Sequence, residues 1–141
     1  MKFIKAFIVL LYLCSFSLLI NAQEKIEIGW LELGVTEFYL QLNEKYDELL
    51  IDVRPYKDYR KERIPGAILA STIDELYQIV DTLDFEKPIY LYCEYGDRSA
   101  DASKLLIYKG FKYIYNLSEG LLGWKEHELV TDKTKLPRKR F

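Results

Sequence analysis

The sequence predicts one compact α/β domain, a three-layer arrangement in which helices flank a mainly parallel sheet of about five short strands. Two observations carry that prediction. Short, continuously apolar runs alternate with stretches of helical spacing, which is how strands covered on both faces read. The chain, 141 residues with 50% hydrophobic and 15% aromatic side chains, is long enough for a real core and too apolar for a disordered protein. No repeat, low-complexity block or internal linker divides it, and a net charge of −2 leaves no general nucleic-acid footprint.

The elements follow in order. Lys2 and Lys5 begin the chain, residues 6–20 carry no charge, and Asn21-Ala22-Gln23 precede the first acid, Glu24. A positive start, an apolar stretch and a small residue predict a signal peptide over 1–22, cleaved after Ala22, and an exported protein, with a bacterial periplasm as its setting. The stretch is short of the ~20 residues that span a bilayer. Ile20, three residues before the cut, leaves an uncleaved anchor, and with it membrane attachment, as the alternative. Cys14 follows bulky Leu13 and reads as part of the apolar run, not as a lipid attachment point. Without residues 1–22 the net charge becomes −4 and Cys93 is the only cysteine.

Residues 23–34 read as a lead-in segment. Thr36 is placed to cap a helix with Tyr39, Leu42 and Tyr46 on one face. Residues 48–53 form an apolar run ending in charge, the sign of a buried strand, and Pro55 stops it. A charged short helix or turn over 56–63, a Pro65-Gly66 turn and a brief strand over 67–70 come next. Ser71 and Thr72, each three residues before an acid, give a capping-box signal for a helix carrying Leu76, Ile79, Val80 and Leu83. Residues 88–92 are the clearest strand and run directly into Cys93. A helix over 99–109 stops at Gly110. A strand over 112–117 and a helix over 121–129 close the domain at residues 35–130. Residues 131–141 form a basic tail that reads as solvated and frayed.

Open parallel sheets place their sites at the carboxyl ends of strands, where Cys93 stands. The segment Cys93-Glu94-Tyr95-Gly96-Asp97-Arg98-Ser99 carries a sulfur from a strand through a tight loop into a helix. Such a loop can aim backbone N–H groups and a helix N-terminus at one point, which stabilises a thiolate nucleophile. Gly96 permits the required turn, and Arg98 offers a cationic fork for an anion. Taken alone, Cys93 reads more simply as a buried small hydrophobe. The order Cys-x-x-Gly-x-Arg-Ser favours the nucleophile.

This stretch resembles the active-site loop of rhodanese-like sulfurtransferases. Leu50-Ile51-Asp52-Val53-Arg54, Tyr59 and Ile64-Pro65-Gly66-Ala67-Ile68 resemble the family's "DVR…HIPGA" signature, and Leu117-Ser118-Glu119-Gly120 with Trp124 its "L-x-G-G…W" closure. The resemblance implies a persulfide-forming Cys93 with the loop from Glu94 to Ser99 around the outer sulfur and Arg98 on the substrate. It implies no cofactor and no metal. The substrates it implies are a small sulfur donor such as thiosulfate and a cyanide, thiol or protein acceptor. Related phosphatases with this fold place five residues between Cys and Arg. Here four intervene, which suits a sulfur better than a tetrahedral phosphate. Two acids in the loop, Glu94 and Asp97, oppose an anionic donor. A non-catalytic persulfide carrier or interaction module on the same fold is therefore the alternative.

The remaining residues are weighed singly. Asp52 reads as a tether for nearby N–H groups or Arg54, supporting the loop without touching chemistry. Arg54 and Arg63 read as supporting cations near the sulfur or as solvated surface. Trp124 reads as core and His127, the one histidine, as a surface residue, which leaves no His-rich metal site. Asn116-Leu117-Ser118 matches a glycosylation sequon. A lone mature thiol leaves no Cys-x-x-Cys oxidoreductase chemistry.

Overall fold

The structure, a computed structural model, describes residues 29–44 and 48–137. The signal peptide expected over 1–22, Tyr46 and the last four residues of the tail lie outside the described residues, as do residues 23–28.

Five parallel strands form one sheet in the order β1-β5-β4-β2-β3. They are β1 (Gly29–Leu33), β2 (Leu49–Asp52), β3 (Ile68–Leu69), β4 (Ile89–Tyr92) and β5 (Tyr113–Leu117). The helices are α1 (Val35–Glu44), α2 (Tyr56–Tyr59), α3 (Ile73–Val80), α4 (Asp97–Lys109) and α5 (Gly120–Glu126). Central β4 pairs Ile89–Tyr92 with Leu49–Asp52 of β2 and Ile89–Leu91 with Ile114–Asn116 of β5.

Period-two alternation sorts the strand residues onto two faces. Leu50, Tyr90, Tyr92 and Leu117 pack with Val35 and Phe38 of α1 and with Leu121 and Trp124 of α5. Ile51, Ile89, Leu91 and Ile114 pack with Leu76 and Val80 of α3 and with Ala102 and Leu106 of α4. Both faces are covered, so every residue of β4 is buried.

The expected caps are partly met. Thr72 Oγ1 accepts from the Glu75 N–H at 3.1 Å, and the Glu75 carboxylate accepts from the Ser71 N–H and Oγ at 2.7 and 2.6 Å. The Thr72 bond satisfies a donor left open by the first turn of α3, and the Glu75 carboxylate ties the preceding Ser71 to that turn. Thr36, by contrast, lies inside α1, which starts one residue earlier; the Val35 N–H is met instead by Glu119 Oε1 at 3.4 Å. The inward face of α1 runs through Val35 and Phe38, while Tyr39 is 40% exposed.

Two segments differ from the sequence expectation. Within the lead-in segment, residues 29–33 form edge strand β1, paired with β5 from Gly29–Tyr113 to Leu33–Leu117. Residues 131–137 of the tail are docked, not frayed: Arg63 and Asp132 form an antiparallel bridge and an ion pair. The Tyr56 hydroxyl donates to the Pro137 carbonyl, and Thr131 Oγ1 donates to Glu62 Oε1 at 2.8 Å.

Candidate functional site

Cys93 follows β4 directly, at the carboxyl edge of the sheet, and is fully buried. Helix α4 starts at Asp97, two residues earlier than its periodicity suggests, so the connecting loop is only Cys93–Gly96. Asp97, Arg98 and Ser99 thus belong to the first helical turn, where the helix end carries partial positive charge. Gly96 occupies the N-cap with φ +97°, a conformation open to glycine at little cost.

Among the described residues, the sulfur makes two hydrogen bonds. The Gly96 N–H donates to Cys93 Sγ at 3.1 Å, and the thiol donates to Asp97 Oδ1 at 3.4 Å. The Asp97 carboxyl is held below its usual range, first by the Arg98 backbone N–H and then by the Cys93 thiol. It stays ionised at neutral pH.

The loop is clamped from behind by the β5–α5 turn. The Leu121 N–H donates to the Cys93 carbonyl at 2.8 Å and the Leu122 N–H to the Glu94 carbonyl at 3.1 Å. Asn116 Nδ2 and Ser99 Oγ both donate to the Gly96 carbonyl, at 3.0 and 3.1 Å. Gly120 backs onto the Glu94 peptide, where a β-carbon would meet the Glu94 carbonyl oxygen at 2.5 Å.

A buried ion-pair chain braces the other side. Asp52, wholly buried, accepts from the Arg54 N–H at 2.8 Å and from Arg54 Nη2 at 2.8 Å, and Arg54 Nη1 reaches Glu94 Oε2 at 2.9 Å. Burial by itself weakens the Arg54 cation, but the hydrogen bond and charge of Asp52, with Glu94, outweigh it and raise its pKa. Tyr92 lies under this chain and accepts the Ile64 N–H at 3.0 Å. Its phenol is held protonated well above the usual range by burial first, then by the charge of Asp52.

The expected site residues therefore divide by role. Asp52 is the tether for Arg54. Arg54 is consumed by Asp52 and Glu94, so it adds no free positive charge at the sulfur. Arg63 is turned away: its guanidinium meets Asp132 and the Thr134 carbonyl, because the docked tail supplies those acceptors. Ser99 is buried and holds the Gly96 carbonyl, so its hydroxyl supports the loop from within and is not presented to a substrate. Tyr95 is 64% exposed.

Arg98 is exposed and stands between two cavities. One, of about 420 Å³, is polar and lined by Arg54, Lys61, Glu62, Glu94, Tyr95 and Arg98. The other, of about 260 Å³, is more apolar and lined by Val53, Ile73, Leu76, Leu105 and Arg98.

Asn116 is the residue that sequence reasoning missed. It reads as a sequon, yet it is fully buried in β5 and holds the loop. A polar residue inside an otherwise apolar strand is the signal that marks it, since such a group needs a fixed partner. Trp124 is buried, with Nε1 donating to the Val130 carbonyl at 3.0 Å, and His127 is exposed.

Comparison with known proteins agrees with this architecture. Residues 35–127 match the family described as Rhodanese-like domain. The chain is 34% identical over 95 residues to the thiosulfate sulfurtransferase GlpE of Coxiella burnetii, covering 67% of this chain and 88% of that protein. It is 38% identical over 79 residues to a tRNA sulfurtransferase of Desulfurococcus amylolyticus, a match spanning 56% of this chain and 15% of that protein. Among solved structures, a rhodanese-like domain from Anabaena superposes with a TM-score of 0.55 at 28% identity, covering 61% of this chain and 99% of that one. A rhodanese-like domain protein from Staphylococcus aureus superposes with a TM-score of 0.57 at 24% identity, covering 66% and 89%. Sequence signatures, strand order and these matches converge: the chain belongs to the rhodanese-like domain family.

Proposed function

We propose that this protein is a sulfurtransferase that moves a sulfane sulfur from a donor to a thiophilic acceptor through a persulfide on Cys93. The observation that carries the reading is the seat of Cys93: a sulfur at the carboxyl end of the central strand, receiving the Gly96 N–H at 3.1 Å at the start of α4. An anion there is favoured by the N–H and by the helix end. Its relatives named sulfurtransferases support the same reading.

Cys93 Sγ attacks the terminal sulfur of the donor and forms a persulfide. A thiol or cyanide then removes the outer sulfur and restores the thiol, in a ping-pong sequence. Glu94, Tyr95 and Arg98 face the incoming donor or acceptor, and Ser99, with Asp52 and Arg54 behind the loop, keeps its shape. The apolar leader over 1–22 supports export to a periplasm.

Mass spectrometry of the intact protein after incubation with sulfane donors tests the proposal. A gain of one sulfur is expected, absent in Cys93→Ser. No gain with any donor overturns it.

Full burial of Cys93 gives a specific reason for a second reading, a carrier loaded only by a protein partner. That reading expects negligible turnover with small donors.

A further inference from the structure

The charges around Cys93 do not cancel evenly. Glu94 is neutralised by Arg54, which also pairs with Asp52. Glu62 is met by Lys125 at 3.1 Å and Lys133 at 3.4 Å, and Asp58 by Lys61 at 3.7 Å. Asp97 makes no ion pair among the described residues, and it is the carboxylate in contact with the sulfur. Arg98 follows it in the chain, exposed at the cavity rim, with no hydrogen bond to Sγ among the described residues. The charge in contact with the reacting sulfur is thus negative.

We propose that Asp97 is a specificity-determining residue that turns this site away from the thiosulfate dianion and toward organic sulfane donors of lower charge. The inference rests on the persulfide reading of Cys93 and deepens it. In the resting thiol, Asp97 accepts the S–H and is satisfied. A donor must then bring its terminal sulfur to Sγ beside that carboxylate, and each negative charge it carries is repelled at contact distance. Asp97 remains charged because the Arg98 N–H, then the Cys93 thiol and its own N–H, stabilise the carboxylate, with a smaller contribution from the Arg98 charge.

The chemistry balances for either donor class. With an alkyl thiosulfonate, the bond from Sγ to the terminal sulfur forms as the donor's S–S bond breaks. The electron pair leaves with the sulfinate, and the Cys93 proton remains on the new persulfide. With thiosulfate the leaving group is sulfite. No outside oxidant or reductant enters either step. The two donors differ by one negative charge close to the reacting sulfur, which is the quantity Asp97 senses.

The test measures kcat/KM of the full chain for methanethiosulfonate and for thiosulfate, with cyanide as acceptor, and takes their ratio. Asp97→Asn and Asp97→Ser are expected to lower that ratio about tenfold, the scale of one charge near a screened protein surface. The change comes from a fall in thiosulfate KM. Asp97→Glu, which keeps the charge, holds the ratio near the wild-type value. Two neutral variants guard against a folding defect in either one, and a purely structural effect moves both donors together. An unchanged ratio in both neutral variants overturns the inference while leaving the sulfurtransferase reading intact. Failure of both donors to place a sulfur on wild-type Cys93 overturns that reading and this inference with it.

Discussion

Gly96 and Ser118 meet backbone to backbone: a β-carbon on Gly96 would stand 2.0 Å from the Ser118 carbonyl oxygen. Backbone cannot swing aside as a flexible side chain can. The contact joins the Cys93 loop to the end of β5, so the sulfur's position depends on a segment more than twenty residues away in sequence. Gly96→Ala adds this clash to an unfavourable positive φ. The expected loss is about 2–4 kcal/mol of stability, read as a lower urea midpoint, together with loss of Cys93 labelling by sulfane donors.

Asn116 offers a milder probe of the same clamp. Asn116→Ala removes the Nδ2 bond to the Gly96 carbonyl and leaves that oxygen with Ser99 and the helical Ala100 N–H. A cost of about 1–3 kcal/mol is expected. Amide hydrogen exchange in residues 93–98 should accelerate more than exchange in α3.

Arg54 and Asp52 should behave as a unit. Arg54→Met strands a wholly buried carboxylate and is expected to cost about 3–5 kcal/mol. Adding Asp52→Asn to that variant should recover a large part of the loss. A double-mutant cycle on urea midpoints measures the coupling, and additive losses would count against the buried pair.

Tyr92→Phe removes the acceptor of the Ile64 N–H inside the core. An orphaned buried donor costs about 1–3 kcal/mol. Urea titration of the purified variant checks this value, with the sheet's circular dichroism expected to stay native.

Acid should release the tail before the sheet. The Asp132 carboxyl is lowered from 3.8, chiefly by Thr134 and with help from Arg63. Glu62 is lowered from 4.5; burial opposes this, but Thr131, Lys125 and Lys133 outweigh it. For acids depressed in the fold, the stabilisation is present above their unfolded values and is lost as pH falls through the folded ones. Protection of the Arg63 and Asp132 amides, which exchange bonds at 3.0 and 2.8 Å, should therefore fall away below about pH 4. Asp132→Asn should weaken that protection at pH 7.

Residues whose role depends on near neighbours were legible in the sequence. The apolar run of β4, the capping bonds of Ser71, Thr72 and Glu75, and the tether from Asp52 to Arg54 all act within a few residues, so spacing alone announces them. The placement of Cys93 was legible as well, because a cysteine between a strand and a helix has a recognisable local order. Edge strand β1 was not. It begins with Gly29, carries exposed Glu32, and gains its strand character only by pairing with β5, more than eighty residues on.

By itself, then, the sequence determined the α/β class, the order of the central elements and the loop that holds Cys93, since these follow from local periodicity and turn chemistry. Only the tertiary structure decided the strand order, the clamp of Asn116 and Gly120 on the loop, and the docking of Arg63 onto Asp132. It also decided which charges stay free: Glu94 is spent on Arg54, while Asp97 faces the sulfur. Those outcomes depend on which distant groups come within hydrogen-bonding distance, and no local pattern carries that information.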